Sequence, residues 1–376
     1  MIQGRVVFID LLRGWAGLVM IEVHVINAFV ITEVRSADWF PALNFMNGLV
    51  APSFLFVAGL VFVVVSERKL PEFREYGGVF WKQIGRILLI WAVGYFLHLP
   101  IFSFSRTLHG TTPEDWLKFF QADILHCIAA GLLTLFIVRL FVKRNHMFER
   151  ILWGSVALVV LSAPFLWETD FNTFVHPFLG AYMNGQHYSQ FPLFPWLGFL
   201  FVGGIVGVRY SRARTEQREL SFMKSVFWWG AGSVVIVLLM GDHFPIPGAS
   251  TEIRPQPVFF VLRMGIVLLL LAGFWWFEQV RKTENSFVLG VSRETLLVYA
   301  AHLLIIYGTF WNEKSLADSY GRSLSFGEGL AATLGLAAVM IVVAELWGRI
   351  KKKSRPLARN LSLAGAAVVL VIFLVK

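Results

Sequence analysis

The stretch DLLRGWAGLVMIEVH, residues 10–24, decides how this chain folds, and it lies within an otherwise apolar run over residues 6–31. At about 100° per residue, one narrow stripe of a helix would carry Asp10, Arg13, Gly17, His24 and Asn27. A carboxylate, a guanidinium and an imidazole are each costly at membrane depth. The stripe is therefore expected to face protein or a water-filled cavity, either as a seam between helices or as a functional site.

The composition excludes an ordinary soluble protein. Of 376 residues, 57% are hydrophobic and only 15% are charged, which is typical of an integral membrane protein. The single cysteine, Cys127, excludes an internal disulfide and a cysteine-based metal cluster. The first apolar run lacks the flanks of a cleavable signal peptide, so it is expected to remain as a span.

Apolar runs long enough to cross about 30 Å of hydrocarbon predict an all-α, polytopic helical bundle of about eleven transmembrane helices in one membrane domain, residues 1–376. The last helix is expected at its periphery. The runs lie near residues 6–31, 43–65, 79–102, 124–142, 151–167, 191–210, 222–239, 257–277, 287–311, 330–350 and 361–375.

Charge in the loops predicts the orientation. Lysines and arginines number 21 on the side of the amino terminus and 7 on the opposite side. The positive-inside rule then puts the amino terminus in the cytoplasm, in a multi-pass protein of the cell inner membrane with lipids around it. Because the basic residues lie in short loops, the net charge of +9 does not indicate a nucleic-acid partner.

Most of the histidines, whose side chains can transfer protons near neutral pH, fall in the outer half of the predicted bundle. His24 lies ~21 Å beyond Asp10 at the rise of an α-helix, and the outer loops add more imidazoles, including His176, His187 and His243. We expect His24 to act as a general base oriented by an acid. The candidate catalytic residues are His24, Asp10, His302 and Asp123, and the candidate substrate-binding residues are Asn27, His98, His126 and Trp196.

Structural roles remain alternatives for each of these groups. No two histidines have a close ligand spacing such as His-x-x-x-His, so we expect no metal.

Cations predict a second site on the cytoplasmic side. Arg13, Arg86 and Arg293, with Arg281 and Lys282 nearby, would suit a phosphorylated ligand because guanidinium binds phosphate bidentately. The alternative is that such residues only set topology or contact lipid headgroups.

Several ordered blocks resemble a known family. The opening Asp10-Leu-Leu-Arg13-Gly with His24 resembles the first helix of the transmembrane acyltransferase superfamily, which includes acyltransferase family 3 and the heparan-α-glucosaminide N-acetyltransferases. The blocks APSFLFVAG at 51–59, DILH at 123–126, FPLFPWLG at 191–198 and LVYAAH at 297–302 are similar to bacterial proteins related to the heparan acetyltransferase catalytic domain. The loop at 35–39 departs from that pattern because it has no histidine.

The resemblance implies an acyl-CoA-dependent acyltransferase. Such an enzyme would take an acyl group, usually acetyl, from cytoplasmic acetyl-CoA to an amino or hydroxyl group of an extracytoplasmic sugar such as a glucosamine in a glycan. Arg13, His24 and His302 carry over as family positions. The donor's phosphates would lie near Arg13 and Arg86, and His302 or Asn27 would polarise the thioester carbonyl.

The alternative function is a proton-coupled transporter or exporter of a small polar solute or glycan. Many spans and a polar seam at membrane depth fit it, whereas the absence of an internal repeat argues against it. The acceptor, N- or O-acylation, direct or two-step transfer, and a homodimer are left open by the sequence.

Overall fold

The computed structural model describes residues 6–240, 255–281, 286–309 and 314–376, so His243 and Lys282 lie outside the described residues. These ranges form helices joined by short loops, with one isolated β-bridge between Val30 and Leu324. Two 3-10 turns, Thr32–Ser36 and Phe171–Thr173, accompany the α-helices. In chain order the α-helices are α1 Val7–Phe29, α2 Phe40–Asn47, α3 Val50–Arg74, α4 Gly78–Leu97, α5 Phe104–His109, α6 Pro113–Phe120, α7 Ile124–Phe141, α8 Asn145–Trp167, α9 Pro177–Gly180, α10 Leu193–Thr215, α11 Glu219–Leu239, α12 Pro257–Val280, α13 Phe287–Arg293, α14 Thr295–Tyr307, α15 Leu316–Tyr320, α16 Phe326–Lys353 and α17 Arg355–Val375.

The all-α, polytopic membrane architecture is confirmed. Within the described residues, eight helices are long and apolar enough to cross a membrane, or nine if the bent pair α13–α14 counts as one span. Helices α1 and α4 have 23 and 20 residues but are not among those nine. The total of eleven spans therefore stays a prediction.

Two predicted spans differ from the observed helices. The run predicted at 43–65 is preceded by the separate helix α2, and α3 continues to Arg74 because a helix keeps its backbone hydrogen bonds beyond the apolar layer. The continuous span predicted at 287–311 is wrong, since α13 and α14 meet at 88°. The break falls at Glu294, whose backbone is not helical and whose buried carboxylate accepts a hydrogen bond from Lys351 Nζ at 2.5 Å.

The centre of the bundle is built on close contact between α3 and α10. A Cβ added at Gly59 would fall on the carbonyl oxygen of Leu200, and one added at Gly203 would fall on that of Phe56. Small residues allow helices to approach this closely without side chains between them. As a result, 83% of the most apolar stretch of α10 is buried inside the protein, whereas only 6% of the corresponding stretch of α17 is buried.

Helix α1 crosses the other side of this core, where it packs against α3, α12, α13, α14 and α16. Its contact with α13 is again made by glycines, since a Cβ at Gly14 would collide with the backbone of Val288 and one at Gly17 would lie 3.2 Å from Val291 Cγ1. The predicted polar stripe therefore faces the bent helix pair, which positions the site described below.

The α3–α10 contact predicts a stability difference between two glycine substitutions. Gly203→Ala places a methyl group against backbone and should lower stability by about 1–3 kcal/mol. The control Gly154→Ala adds its methyl group in open space on α8 and should be neutral or stabilising by up to about 1 kcal/mol. Thermal unfolding of both purified variants in detergent measures the difference, and equal midpoints would contradict the packing.

Candidate active site

Near the amino-terminal end of α1, Asp10 and Arg13 form a buried polar network with Ser292 of α13. Arg13 Nη2 donates to Asp10 Oδ1 at 2.7 Å, Arg13 Nε donates to Ser292 Oγ at 3.0 Å, and Ser292 Oγ donates to Asp10 Oδ1 at 3.2 Å. These bonds fasten α1 to α13. Asp10 belongs to this network and is remote from His24, so it does not orient the imidazole.

Further along α1, His24 pairs with His302 of α14, as Nδ1 of His24 lies 3.0 Å from Nε2 of His302. The other ring nitrogen of His302, Nδ1, lies 2.7 Å from the carbonyl oxygen of Val298. A carbonyl only accepts, so Nδ1 of His302 carries a proton and, in the neutral ring, Nε2 accepts one from His24 Nδ1. This assignment leaves the proton-free nitrogen of His24 at Nε2.

His24 lies on the wall of a cavity of about 590 Å³ in the half of the bundle where α1 ends. The cavity combines aromatic rings with carboxamide side chains from five different positions. The aromatic residues are Phe54, Phe191, Trp196, Phe259, Tyr299 and Tyr307, and the carboxamides are Asn27, Asn44, Asn47, Gln121 and Gln190. A wall of this kind offers both donors and acceptors to a polyhydroxylated ligand and flat faces to its apolar side.

Asp123 is on the same wall, where it caps α7. Its Oδ1 accepts from the backbone N–H groups of Leu125 and His126 at 2.9 and 3.0 Å and lies 2.6 Å from His126 Nδ1. Its Oδ2 accepts from Tyr299 at 3.4 Å and lies 3.9 Å from His98 Nδ1. The structure thus brings Asp123, His98 and His126 together beside the cavity, although His126 is fully buried and does not line it.

At the opposite end of the bundle, a second cavity of about 1120 Å³ is strongly basic. Two carboxylates, Glu294 and Glu345, oppose a larger group of cations from α4, α13, α16 and α17. These cations are Lys82, Arg86, Arg293, Arg349, Lys351, Lys352, Arg355 and Arg359. Two of the three predicted donor-binding arginines, Arg86 and Arg293, lie here, whereas Arg13 lies in the network with Asp10.

The two cavities share no lining residue, but the bent pair contributes to both. Gly290 and Arg293 of α13 line the basic cavity, and Tyr299 and Leu303 of α14 line the carboxamide-lined cavity. The second is called the outer cavity below, because the predicted orientation puts it on the side away from the cytoplasm. The 88° bend therefore lies between the two sites.

A protein-family model described as heparan-alpha-glucosaminide N-acetyltransferase, catalytic, matches residues 5–241 of the chain. The match covers more than half of the chain. The chain belongs to this family. No curated protein matches the sequence significantly. Membership of this N-acetyltransferase family indicates a membrane acyltransferase, and the matched residues include His24, Arg86 and Asp123.

Part of this acyltransferase's outer cavity was missed in the sequence. Gln121 and Gln190 stand in loops where polar residues are common, and Tyr299 follows an apolar run without a partner nearby in sequence. Arg263 of α12 also lines the cavity and was not among the predicted site residues. The residue type itself could have indicated this position, because an arginine six residues inside an apolar helix is costly and commonly marks a functional site.

Two histidines predicted to lie in outer loops, His176 and His187, line neither cavity. His187 Nε2 lies 2.7 Å from Asp170 Oδ1, and this hydrogen bond lowers the pKa of the Asp170 carboxyl. His176 caps α9 by accepting from the N–H of Phe178. Both stabilise the loop between α8 and α10 rather than contribute to the cavity.

The cluster of His98, Asp123 and His126 has the residue types of a metal site, with candidate ligand atoms within 4.8 Å of one another. Its hydrogen bonds argue for a different role. Asp123 Oδ1 already accepts from two backbone N–H groups and lies at hydrogen-bond distance from His126, and His98 Nδ1 is bonded to Gly94 O at 2.9 Å. We therefore interpret the cluster as a helix cap that fixes the cavity wall.

This interpretation predicts the behaviour of two Asp123 variants. Asp123→Asn keeps an oxygen that can accept from the backbone and should unfold close to wild type, whereas Asp123→Ala should lose at least about 1 kcal/mol of stability with the cap. Thermal unfolding with and without EDTA measures both effects. A stoichiometric metal, or destabilisation of the wild type by EDTA, would contradict the cap interpretation.

Proposed function

We propose that this protein transfers an acetyl group from acetyl-CoA, bound at the basic cavity, to an amino or hydroxyl group of a carbohydrate in the outer cavity. The observation that carries the proposal is the His24–His302 pair on the wall of the carboxamide-lined cavity. In the predicted orientation, the donor comes from the cytoplasm and the acceptor from the far side of the inner membrane.

The charge and size of the basic cavity support the donor. Coenzyme A carries several phosphate groups, and the eight cations around this cavity are opposed by two carboxylates. Arg86 and Arg293 are exposed and can bind phosphate bidentately, whereas Lys351 is already paired with Glu294.

The tautomer of His24 supports its role as the base. The acceptor's amino nitrogen or hydroxyl oxygen attacks the thioester carbonyl carbon, and Nε2 of His24 takes the proton from that nitrogen or oxygen. The C–S bond then breaks, the acetyl group stays on the acceptor, and the leaving thiolate receives the proton. His302 acts as a positioning residue, because its bond to Val298 O holds Nδ1–H of His24 in place.

The outer cavity supports a carbohydrate acceptor. Its five carboxamides can each donate and accept, which matches sugar hydroxyls, and its aromatic rings can pack on the sugar's C–H face. Trp196 is 2% exposed, and its indole Nε1 has no hydrogen-bond partner among the described residues, which leaves a further donor beside the cavity.

Because the cavities share no lining residue, the thioester-bearing arm must pass beside the α13–α14 bend. Arg13 lies on this route with Asp10 and Ser292. We propose that Arg13 keeps α1 and α13 in register there and does not bind the donor's phosphates directly.

The proposed base predicts a graded loss of activity. His24→Ala should lower acetyl transfer by about 10²–10⁴-fold because the proton acceptor is lost. His302→Ala should cause a smaller loss, since the base remains but its tautomer is no longer fixed. The control His109→Ala changes an exposed histidine at the end of α5 that lines neither cavity, and it should match wild type. Product formation with purified protein measures all three, and full turnover by His24→Ala would remove His24 from the mechanism.

The proposed donor site predicts a selective loss of CoA binding. Arg86→Gln and Arg293→Gln should each weaken binding about tenfold, which is the size expected for a charge-assisted hydrogen bond. Arg212→Gln, an exposed arginine at the same end but outside the cavity, is the matched control. The thermal shift caused by CoA measures binding. Equal shifts in all three variants would show that the phosphates bind elsewhere.

The broken helix is the one observation that favours the second candidate function, a proton-coupled transporter. Transporters place broken helices at their binding sites, but they usually do so in matching pairs, and the described residues contain only one such bent pair. A transporter would move a solute across vesicles without consuming acetyl-CoA, which distinguishes the two candidates.

A further inference from the structure

Arg263 of α12 is a cationic side chain on the wall of the outer cavity. It is only 7% exposed. Its guanidinium lies over two aromatic rings, with its carbon 5.1 Å from the centroid of Phe45 and 4.7 Å from that of Phe259. These rings hold the planar group in one orientation.

Most of the hydrogen-bonding capacity of Arg263 is unused within the described residues. One bond runs from Nη1 to the carbonyl oxygen of Phe45 at 3.3 Å, and the buried Nε has no partner. No carboxylate of a described residue forms an ion pair with this guanidinium. Since the group has five N–H donors and stays protonated, it is an uncompensated charge within the bundle.

The surrounding backbone makes room for this charge. A Cβ at Gly48, between α2 and α3, would come within 3 Å of three atoms of the guanidinium. Gly48 itself lines the cavity next to Asn47 and Asn44. The cation is therefore seated against glycine backbone and beside the carboxamides proposed to bind the sugar.

An unpaired, buried cation is costly unless a ligand supplies the opposite charge. We propose that Arg263 binds an anionic group on the acceptor, so that the preferred substrate is an acidic sugar bearing a carboxylate, sulfate or phosphate. This inference rests on the proposed function for its acceptor, and it adds the charge that the acceptor must carry. A bidentate bond from Arg263 fixes the sugar while His24 acts on its amino or hydroxyl group.

Binding of sugars in the absence of donor tests the inference directly. The probes are methyl glucuronide, glucose 6-sulfate and glucose 6-phosphate, each compared with neutral methyl glucoside by calorimetric titration of the purified full-length protein. We expect at least one acidic sugar to bind about tenfold or more tightly than the neutral one, as for a charge-assisted hydrogen bond. The three probes identify which anion fits.

Four variants assign the preference to this side chain. Arg263→Gln should reduce the ratio of acidic-sugar affinity to neutral-sugar affinity to about one. Arg263→Lys should retain part of this ratio because the charge remains. Gly48→Ala should lower the ratio because its methyl group displaces the guanidinium. Arg106→Gln, an outer-side arginine that does not line the cavity, should keep the wild-type ratio.

Thermal unfolding of ligand-free Arg263→Gln separates recognition from a structural role. A midpoint equal to or above that of wild type supports the inference, because the variant removes an uncompensated charge. A lower midpoint together with an unchanged affinity ratio would overturn it and assign Arg263 to packing.

The remaining outcomes separate this inference from the proposed function. Equal affinity for acidic and neutral sugars, no binding of either, or a preference that survives Arg263→Gln would overturn the anion site even if acetyl transfer occurs. A preference that depends on Arg263, without any transfer from acetyl-CoA, would uphold the anion site and contradict the acyltransferase.

Discussion

Hydrogen bonds between the polar stripe of α1 and the bent pair α13–α14 position both cavities of this protein. Polar groups in an apolar environment must find partners inside the protein. Asp10 and Arg13 find theirs at Ser292, and His24 finds its partner at His302. Because the two sets of bonds lie at different depths along α1, they fix both helices of the bent pair relative to it.

The glycines of α1 and the bend at Glu294 follow from this arrangement. Gly14 and Gly17 let α13 approach closely enough for the Ser292 bonds. The non-helical backbone at Glu294 then redirects the chain so that His302 reaches His24. The pair α13–α14 therefore contributes residues to the basic cavity at one end and to the carboxamide-lined cavity at the other.

Much of this architecture could be predicted from sequence because apolar periodicity and loop charge are local properties. Helix α1 over Val7–Phe29 falls within the predicted run, and two of the three arginines predicted for one site, Arg86 and Arg293, line the same cavity. The bend at Glu294 could not be predicted in this way, since averaging hydropathy over a window conceals one polar residue whose partner, Lys351, is 57 positions away. The pairing of Asp10 with Ser292 was missed for the same reason.

The candidate site also contains polar groups whose hydrogen-bonding capacity is largely unused among the described residues. Arg263 has one hydrogen bond and Trp196 Nε1 has none among the described residues. Functional sites commonly retain such groups at a cost in stability, because a ligand completes their bonding. These unused groups, together with the His24–His302 pair, distinguish the carboxamide-lined cavity from the larger basic one.

In the proposed mechanism, an acyl group crosses from the basic cavity to the outer cavity. Proteoliposomes with known protein orientation test it most directly, with labelled acetyl-CoA and an amino sugar supplied on the same side or on opposite sides. We predict labelled sugar only when acetyl-CoA is on the side of the basic cavity and the sugar is on the other. If only a sugar supplied on the same side as acetyl-CoA becomes labelled, and a sugar across the membrane does not, the acyl group does not cross the membrane.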